Sequence, residues 1–549
     1  MNRFAALLDR LAYEPSRNNK LRLLTDYFGA EADPDRGYAL AAMTGGLSFA
    51  HAKPALIRTL ISERTDPALF AMSYDFVGDL SETAALLWPA PVEMADAPMA
   101  PTLSQIVEQL HQTSKSALPR QLAFWLDTLD ETGRWALLKL ITGGLRIGVS
   151  ARLAKTAVAA MGGLAPDDVE EIWHGLKAPY IDLFAWVEGR EPRPVTDDPT
   201  PFRTPMLAHA IDDRDFATLD PAEFSAEWKW DGVRVQAVTG CDATGVRAER
   251  LYSRTGEDMS QSCPDMLDAL RAAKLGDVAI DGELLVVREG RVQPFGVLQQ
   301  RLNRKSVSGK LMADYPLHIR AYDLLTENGE DLRPLPFEER RARLEALIER
   351  AGAARIDRSP LVPFDSWEEL AQARLDPACA GAGADAEAIE GVMLKRRQSI
   401  YVPGRPKGPW WKWKRDPFNV DAVLMYAQRG HGKRSSFYSD FTFGVWRAGA
   451  HGDELAPVGK AYFGFTDEEL GQLDKWVRNN TINRFGPVRE VTHGPGDGLV
   501  LEIAFDGLNR STRHKSGVAM RFPRIARIRW DKPARDADRI EALERLLRE

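Results

Sequence analysis

Residues 227–234 read Glu227-Trp228-Lys229-Trp230-Asp231-Gly232-Val233-Arg234, and this stretch decides how the middle of the chain is read. On a strand, successive side chains point to opposite faces. Glu227, Lys229 and Asp231 therefore share one face ahead of a glycine turn, with tryptophans packed behind. An amine fixed on a rigid strand, surrounded by aromatic surface and near other cations, loses its proton more readily and becomes a nucleophile. An exposed strand of alternating charge reads the same way in isolation, so the surrounding sequence has to decide.

The same period of two recurs in residues 226–237, 278–287 and 391–395, interleaved with helical stretches such as 337–349. That pattern is a mixed α+β domain. Upstream, from Phe4 to about Val187, apolar residues recur at helical spacing (Phe4, Leu7, Leu8, Leu11; Leu21, Leu24, Tyr27, Phe28), broken by Pro- and Asp-rich segments such as 31–34. This region reads as all-helical. Residues 189–205 combine prolines with alternating charges and read as an interdomain linker. Downstream of Asp416, short strands at 420–426, 441–446, 500–505 and 525–530 suit a small barrel, closed by a helix over 536–547. The expected division is helical 1–190, linker 191–204, α+β 205–416 and barrel 417–549.

A chain of 549 residues has room for three or four such domains without metal or disulfide staples. With 44% hydrophobic and 28% charged residues it is neither disordered nor collagen-like. No apolar run approaches a membrane span and the N-terminus has no signal-peptide core, so the expected compartment is the cytoplasm. Cys241, Cys263 and Cys379 are far apart, which excludes a four-cysteine zinc module and suggests ordinary buried thiols. A net charge of -7 gives no global attraction to polyanions, so any such site is a local concentration of Lys and Arg.

Two such concentrations exist. Between Lys395 and Arg415 there are eight Lys or Arg and no acid, and Trp410-Trp411-Lys412-Trp413-Lys414 aims two lysines at one face of a strand. The second runs from Arg513 through Lys515, Arg521, Arg524, Arg527 and Arg529 to Lys532. Guanidinium groups alternating along a strand suit phosphate oxygens, although a solvated strand face has the same pattern. Asp281-Gly282-Glu283 and Glu390-Gly391 place carboxylates at the ends of apolar strands, a donor set suited to a hard cation that also takes phosphate oxygens. Arg254, in the turn Ser253-Arg254-Thr255-Gly256-Glu257-Asp258, is a candidate phosphate or sugar ligand. A P-loop is excluded because Gly432-Lys433 is followed by Arg434 and lacks the upstream glycine.

In this order, Glu-x-Lys-x-Asp-Gly-x-Arg, Ser-Arg-Thr-Gly-Glu, Asp-Gly-Glu, Glu-Gly-Val-Met-Leu-Lys and Trp-x-Lys-x-Lys, the segments resemble the nucleotidyltransferase motifs of ATP-dependent DNA ligases. Residues 521–532 resemble that family's C-terminal OB-fold motif, and 142–150 its minor-groove contact loop. The resemblance spans essentially the whole chain and is nearest to the three-domain bacterial ligases of the LigB type, which are associated with a large helicase and a processing exonuclease. It implies an all-α DNA-binding domain, an α+β nucleotidyltransferase domain and a β-barrel OB-fold domain.

The resemblance further implies that Lys229 attacks ATP to form lysyl-AMP, that AMP passes to a 5′-phosphate at a nick, and that a 3′-hydroxyl displaces it. Glu227 would read the adenine amino group and Tyr322 would stack on the base, where phenylalanine is common. Arg234, Arg254 and Arg405 would hold sugar and phosphates. Glu283 and Glu390 would hold Mg²⁺, with Mn²⁺ able to substitute, and Lys412 and Lys414 would neutralise the α-phosphate. Thr142, Gly143, Gly144 and Arg146 would contact DNA, as would Arg524, Arg527 and Arg529. The implied partners are nicked duplex DNA and the repair helicase and exonuclease, with the chain acting as a monomer. An RNA ligase, a capping-type nucleotidyltransferase and a catalytically silent DNA-end binder are the alternatives. The helical region argues against the first two and the intact lysine and carboxylate set against the third.

Overall fold

Helices form in the N-terminal region wherever apolar residues recur at helical spacing. α1 (Asn2–Tyr13) buries Phe4, Leu7, Leu8 and Leu11, and α2 (Arg17–Ala30) buries Leu23, Leu24, Tyr27 and Phe28. Ser16 caps α2 by accepting from the Asn19 N–H at 3.3 Å. Two further helices, α3 (Glu131–Thr142) and α4 (Ala151–Met161), flank the loop containing Arg146. Among the described residues every regular element before His209 is helical, and no helix is long and apolar enough to cross a membrane. The computed structural model describes residues 1–549 apart from 78, 90–99, 196–197, 303, 305–306, 431–436, 450–451, 512–513, 515 and 548–549. Arg513 and Lys515 of the second basic run, Gly432 to Arg434 and the linker's Asp197 lie outside the described residues.

The chain divides into two compact units. One comprises Met1–Gly163, Lys177–Glu191 and Asp416–Glu549, the other Leu164–Leu176 and Pro192–Arg415. Leu164–Leu176, read from sequence as part of the helical region, therefore joins the α+β unit. Within that unit Glu171 pairs with Arg193 and Arg333, each at 3.1 Å. The expected linker is likewise not a free tether. Thr200 is fully buried, its carbonyl accepts from Tyr252 Oη at 2.7 Å, and the Arg203 N–H donates to Gln236 Oε1 at 2.6 Å. Asp198 pairs with Arg250 at 2.6 Å, so this part of the segment straps onto the sheet beside it.

The α+β unit is built on two sheets. Among its strands are β1 (His209–Ala210), β2 (Phe224–Trp230), β3 (Val233–Cys241), β4 (Arg247–Ser253), β5 (Val278–Arg288), β6 (Leu317–Glu327), β7 (Leu361–Val362), β8 (Ile389–Arg396) and β9 (Trp410–Lys414). The smaller sheet has the order β1-β9-β8-β2-β7, and the larger contains the run β4-β3-β5-β6. Phe224, Ala226, Trp228 and Trp230 of β2 all enter one apolar core, which fixes the opposite face for Lys229.

Two expectations about local geometry change. Asp231-Gly232 is not a hairpin turn, because β2 and β3 belong to different sheets and this dipeptide crosses between them. A Cβ on Gly232 would come within 2.6 Å of the Leu284 carbonyl oxygen, so glycine is needed for close approach. Asp281 and Glu283 lie in the middle of the eleven-residue β5 rather than at a strand end; the apolar run continues on both sides of Asp281-Gly282-Glu283, through Val278 to Ile280 and Leu284 to Val287. The cysteines also depart from expectation: only Cys263 is buried, while Cys241 and Cys379 are exposed.

In the C-terminal region, β10 (Phe418–Arg429), β11 (Tyr438–Gly449), β12 (Gly452–Ala461), β13 (Thr481–Phe485), β14 (Val488–Val491), β15 (Val500–Phe505) and β16 (Arg524–Arg529) share one sheet. β10 pairs with β11, β14 and β15, and β15 pairs in turn with β16, so the strands surround one core of residues such as Leu424, Phe443, Leu501 and Ile528. The sequence reading missed a helix here, Asp467–Asn479. Its signature was present: a Thr466–Glu469 capping box and Leu470, Leu473 and Val477 buried on one side. The closing helix is shorter than expected, Ile540–Leu546, after a 3-10 turn at Ala534–Asp536.

Candidate active site

The two sheets of the α+β unit bring the strand-borne charges together. Register aligns Lys229 of β2 with Gly391 of β8, and Gly391 with Lys414 of β9. A Cβ on Gly391, whose φ is +146°, would lie 2.2 Å from the Trp413 carbonyl oxygen. Glycine thus lets β9 approach closely and brings Lys414 to the carboxylate beside it. Glu390 accepts from Lys229 Nζ through Oε1, while Lys414 Nζ lies 2.9 Å from Oε2. Burial works against ionisation of Glu390, but the two ammonium groups outweigh it and hold the carboxyl below its ordinary range.

Glu283, opposite Arg234 in the β3–β5 ladder, behaves in the opposite sense. Burial pushes its carboxyl up to about 8, against the pull of Lys229 and Arg234, and the negative charges of Glu390 and Asp231 push the same way. Two neighbouring carboxylates, one ionised and one poised to ionise, fit a divalent cation that arrives with nucleotide phosphates. Among the described residues no group of three or more His, Cys, Asp or Glu is placed to hold a metal without such help.

Cations outnumber these acids. Burial lowers the Lys412 pKa, and repulsion from Lys229, Arg405, Lys414 and Arg254 lowers it further. Arg254 is lowered in the same way by burial and by Arg234 and Arg405. Lys412 and Arg254, each disfavoured as a cation by its cationic neighbours, make this part of the site favourable to a polyanion. Asp281 is not part of that pocket. It is fully buried and accepts from Arg234 Nη2 at 2.6 Å, Tyr401 Oη at 2.6 Å and Gln236 Nε2 at 3.1 Å, which braces Arg234 from behind.

Glu227 and Tyr322 lie deeper. Glu227 is 2% exposed, with Oε1 accepting from Arg341 at 2.8 Å and Oε2 lying 2.8 Å from Lys395 Nζ. Lys395 also donates to the Tyr322 carbonyl at 3.1 Å and lies 4.7 Å from the ring centre of Tyr322.

A model of the ATP dependent DNA ligase domain matches residues 205–414, and one of the ATP dependent DNA ligase C terminal region matches 434–532. A probable DNA ligase of Koribacter versatilis (strain Ellin345) is 30% identical, covering 100% of this chain and 96% of that one. The chain belongs to the ATP-dependent DNA ligase family. The ligase is also 29% identical to DNA ligase 1 of Korarchaeum cryptofilum (strain OPF8), covering 100% of this chain and 98% of that one. Its fold is shared with the solved structure Pmar-Lig_PreS3, at a TM-score of 0.57 over 96% of this chain and 99% of that chain, with 14% identity.

The remaining expected residues of the ligase lie outside this cluster. Gly143 (φ +73°), Arg146 (φ +52°) and Gly148 (φ +66°) are left-handed positions in the loop after α3. Gly143 is the C-cap of α3 and Thr142 its last residue, the Thr142 hydroxyl lying 3.2 Å from Ser81 Oγ. Gly143 and Arg146 are exposed and Gly144 half-buried. Lys20 fixes the loop by donating to the Ile147 carbonyl at 2.6 Å, and Ser150 caps α4.

On β16 simple alternation fails. Register shifts between Glu502↔Arg527 and Ile503↔Ile525, so Ala526 is an extra residue and Ile525 and Ile528 both turn inward. Arg527 is consequently exposed. Arg524 pairs with Asp506 at 2.8 Å, and Arg529 with Asp531 at 2.9 Å and Asp421 at 3.1 Å. Arg341, Lys395, Tyr401 and Asp281 take supporting roles that the sequence does not assign: Asp281 and Lys395 sit in the motifs Asp-Gly-Glu and Glu-Gly-Val-Met-Leu-Lys, but their partners are set only when the sheets assemble.

Proposed function

We propose that the ligase seals 5′-phosphate/3′-hydroxyl nicks in duplex DNA, with Lys229 as the nucleophile that carries AMP. The observation that carries this reading is Lys229 bound to Glu390, which also pairs with Lys414, beside Lys412 and Arg254, whose pKa values burial and neighbouring cations lower. Nζ attacks the α-phosphorus of ATP, an N–P bond forms, the bond to pyrophosphate breaks, and the Nζ proton leaves along the hydrogen bond to Glu390 Oε1. Lys412 and Lys414 face the charge that develops on the α-phosphate, a task of positioning and electrostatics more than covalent help. Arg234, Arg254 and Arg405 hold sugar and phosphates, Tyr322 stacks on adenine and Glu227 accepts from its amino group. Glu283 and Glu390 would hold Mg²⁺, or Mn²⁺ in its place, which supplies charge neutralisation on the phosphates when bound.

The supporting parts follow the same reading. Residues 1–190, apart from Leu164–Leu176, form the DNA-binding domain, with Thr142 to Arg146 against the minor groove, where backbone and shape contacts suit an enzyme that must not read bases. Residues 205–416 form the nucleotidyltransferase domain and 417–549 the OB-fold domain, whose Arg524, Arg527 and Arg529 grip pyrophosphate or DNA phosphates. The chain works as a monomer because every proposed catalytic group comes from one polypeptide. From its resemblance to the three-domain bacterial enzymes we read it as a LigB-type ligase acting beside a helicase and an exonuclease in the cytoplasm.

The test is a nicked duplex labelled on its 5′-phosphate strand, in DNA and RNA versions, with ATP and Mg²⁺. Sealing of DNA that vanishes in Lys229→Ala supports the reading; preferential sealing of RNA, or sealing by Lys229→Ala, overturns it.

A further inference from the structure

The ammonium of Lys395 sits in an enclosure that catalysis as described does not use. The side chain is 1% exposed, and Nζ lies 4.7 Å from the ring centres of Tyr322, Phe337 and Trp410 alike. Two oxygens complete the surroundings, Glu227 Oε2 and the Tyr322 carbonyl. From the other side Arg341, on the helix Phe337–Ala351, donates to Glu227 Oε1 and to the Ser359 carbonyl at 2.6 Å. Its neighbour Arg340 is fully buried and grips Asp323, the residue after Tyr322, through Nε at 2.8 Å and Nη2 at 3.0 Å. One helix and one strand lysine thereby immobilise both the carboxylate and the ring that the proposed function assigns to adenine.

A buried carboxylate is costly unless paired, and one cation on each oxygen fixes its plane. An ionised carboxylate only accepts hydrogen bonds. It therefore suits the adenine amino group, a donor, and opposes guanine O6, an acceptor at the equivalent position. We propose that Lys395 and Arg341 are positioning residues that set the preference for ATP over GTP by holding the Glu227 carboxylate in one orientation. This inference rests on the reading that Glu227 faces the base. Sites built on a buried hydrogen bond discriminate strongly, because the wrong partner leaves polar groups unpaired. Loosening the clamp should erode that discrimination more than it erodes the chemistry.

The experiment compares self-labelling of the full chain by α-labelled ATP and by α-labelled GTP. Wild type is set beside Lys395→Met, which keeps volume and removes charge, Arg341→Lys, which keeps charge and removes the fork, and Glu227→Gln. The expected result is an ATP-to-GTP rate ratio lowered on the order of tenfold or more in Lys395→Met and Glu227→Gln, with a smaller fall in Arg341→Lys. If Lys395→Met and Arg341→Lys lower both rates equally and leave the ratio unchanged while Glu227→Gln changes it, the clamp idea is overturned and the Glu227 reading survives. A ratio unchanged in all three variants overturns both. Should Lys395→Met fail to fold, Arg341→Lys alone decides.

Discussion

The pocket around Lys229 and the outer face of β16 both gather cations for phosphate, yet they store the charge differently. In the pocket, burial and the neighbouring cations lower the pKa of Lys412 and of Arg254, and Glu390 is shared between two lysines. On β16, Arg524 and Arg529 each already hold an aspartate. A crowded, under-neutralised pocket binds a polyanion by relieving its own repulsion. A paired face binds by exchanging one anion for another, at little net gain. The first arrangement suits chemistry at a fixed point and the second a grip that is made and released.

The sharpest way to break the comparison is Lys229→Ala. It should abolish both lysyl-AMP and sealing, read on a denaturing gel with α-labelled ATP; residual sealing above background would move the nucleophile elsewhere. Next in size, Lys412→Ala should slow self-adenylylation by about 100- to 1,000-fold at saturating ATP, measured by single-turnover labelling, as for loss of one preorganised transition-state donor. An equal loss in Arg524→Ala would erase the distinction between pocket and face.

Glu283 gives a pH signature. Its folded pKa of about 8 exceeds that of an unfolded carboxyl, roughly 4.3, so between these values the folded chain holds a proton the unfolded chain lacks. This group's contribution to stability is complete below the unfolded value and declines as pH rises toward 8. Metal affinity should rise over the same window, because the ligand must ionise. Calorimetric titration with Mg²⁺ and ATP at several pH values checks this, and Glu283→Gln should flatten the profile.

The smallest effect is expected on β16. Arg529→Ala should change the melting temperature little, since ion pairs reached by solvent contribute little to stability. It should also reduce the salt dependence of DNA binding by roughly one phosphate's worth. Fluorescence anisotropy across a salt series reads the slope.

What was legible in the sequence follows the same division. Strand alternation placed Lys229, Lys412 and Lys414 because a period-two pattern carries its own geometry, as the 3.6-residue spacing of apolar residues did for helices α1 and α2. Strand alternation failed at β16, where the bulge at Ala526 resets the faces, and at Asp231-Gly232, where two sheets meet. The clamp on Glu227 was invisible because Lys395 and Arg341 lie 168 and 114 positions from Glu227 and become its partners only through tertiary pairing. Asp281 reads in sequence as a twin of Glu283, and only burial shows that one braces Arg234 while the other faces the pocket.

The most direct test of the central claim is to incubate the full chain with ATP and Mg²⁺, then map the adenylylated peptide by mass spectrometry before and after a chase with nicked duplex DNA. The account predicts one AMP per chain, on Lys229, that disappears into the DNA strand during the chase. AMP on another residue, or a Lys229 adenylate that does not discharge to the nick, would contradict it.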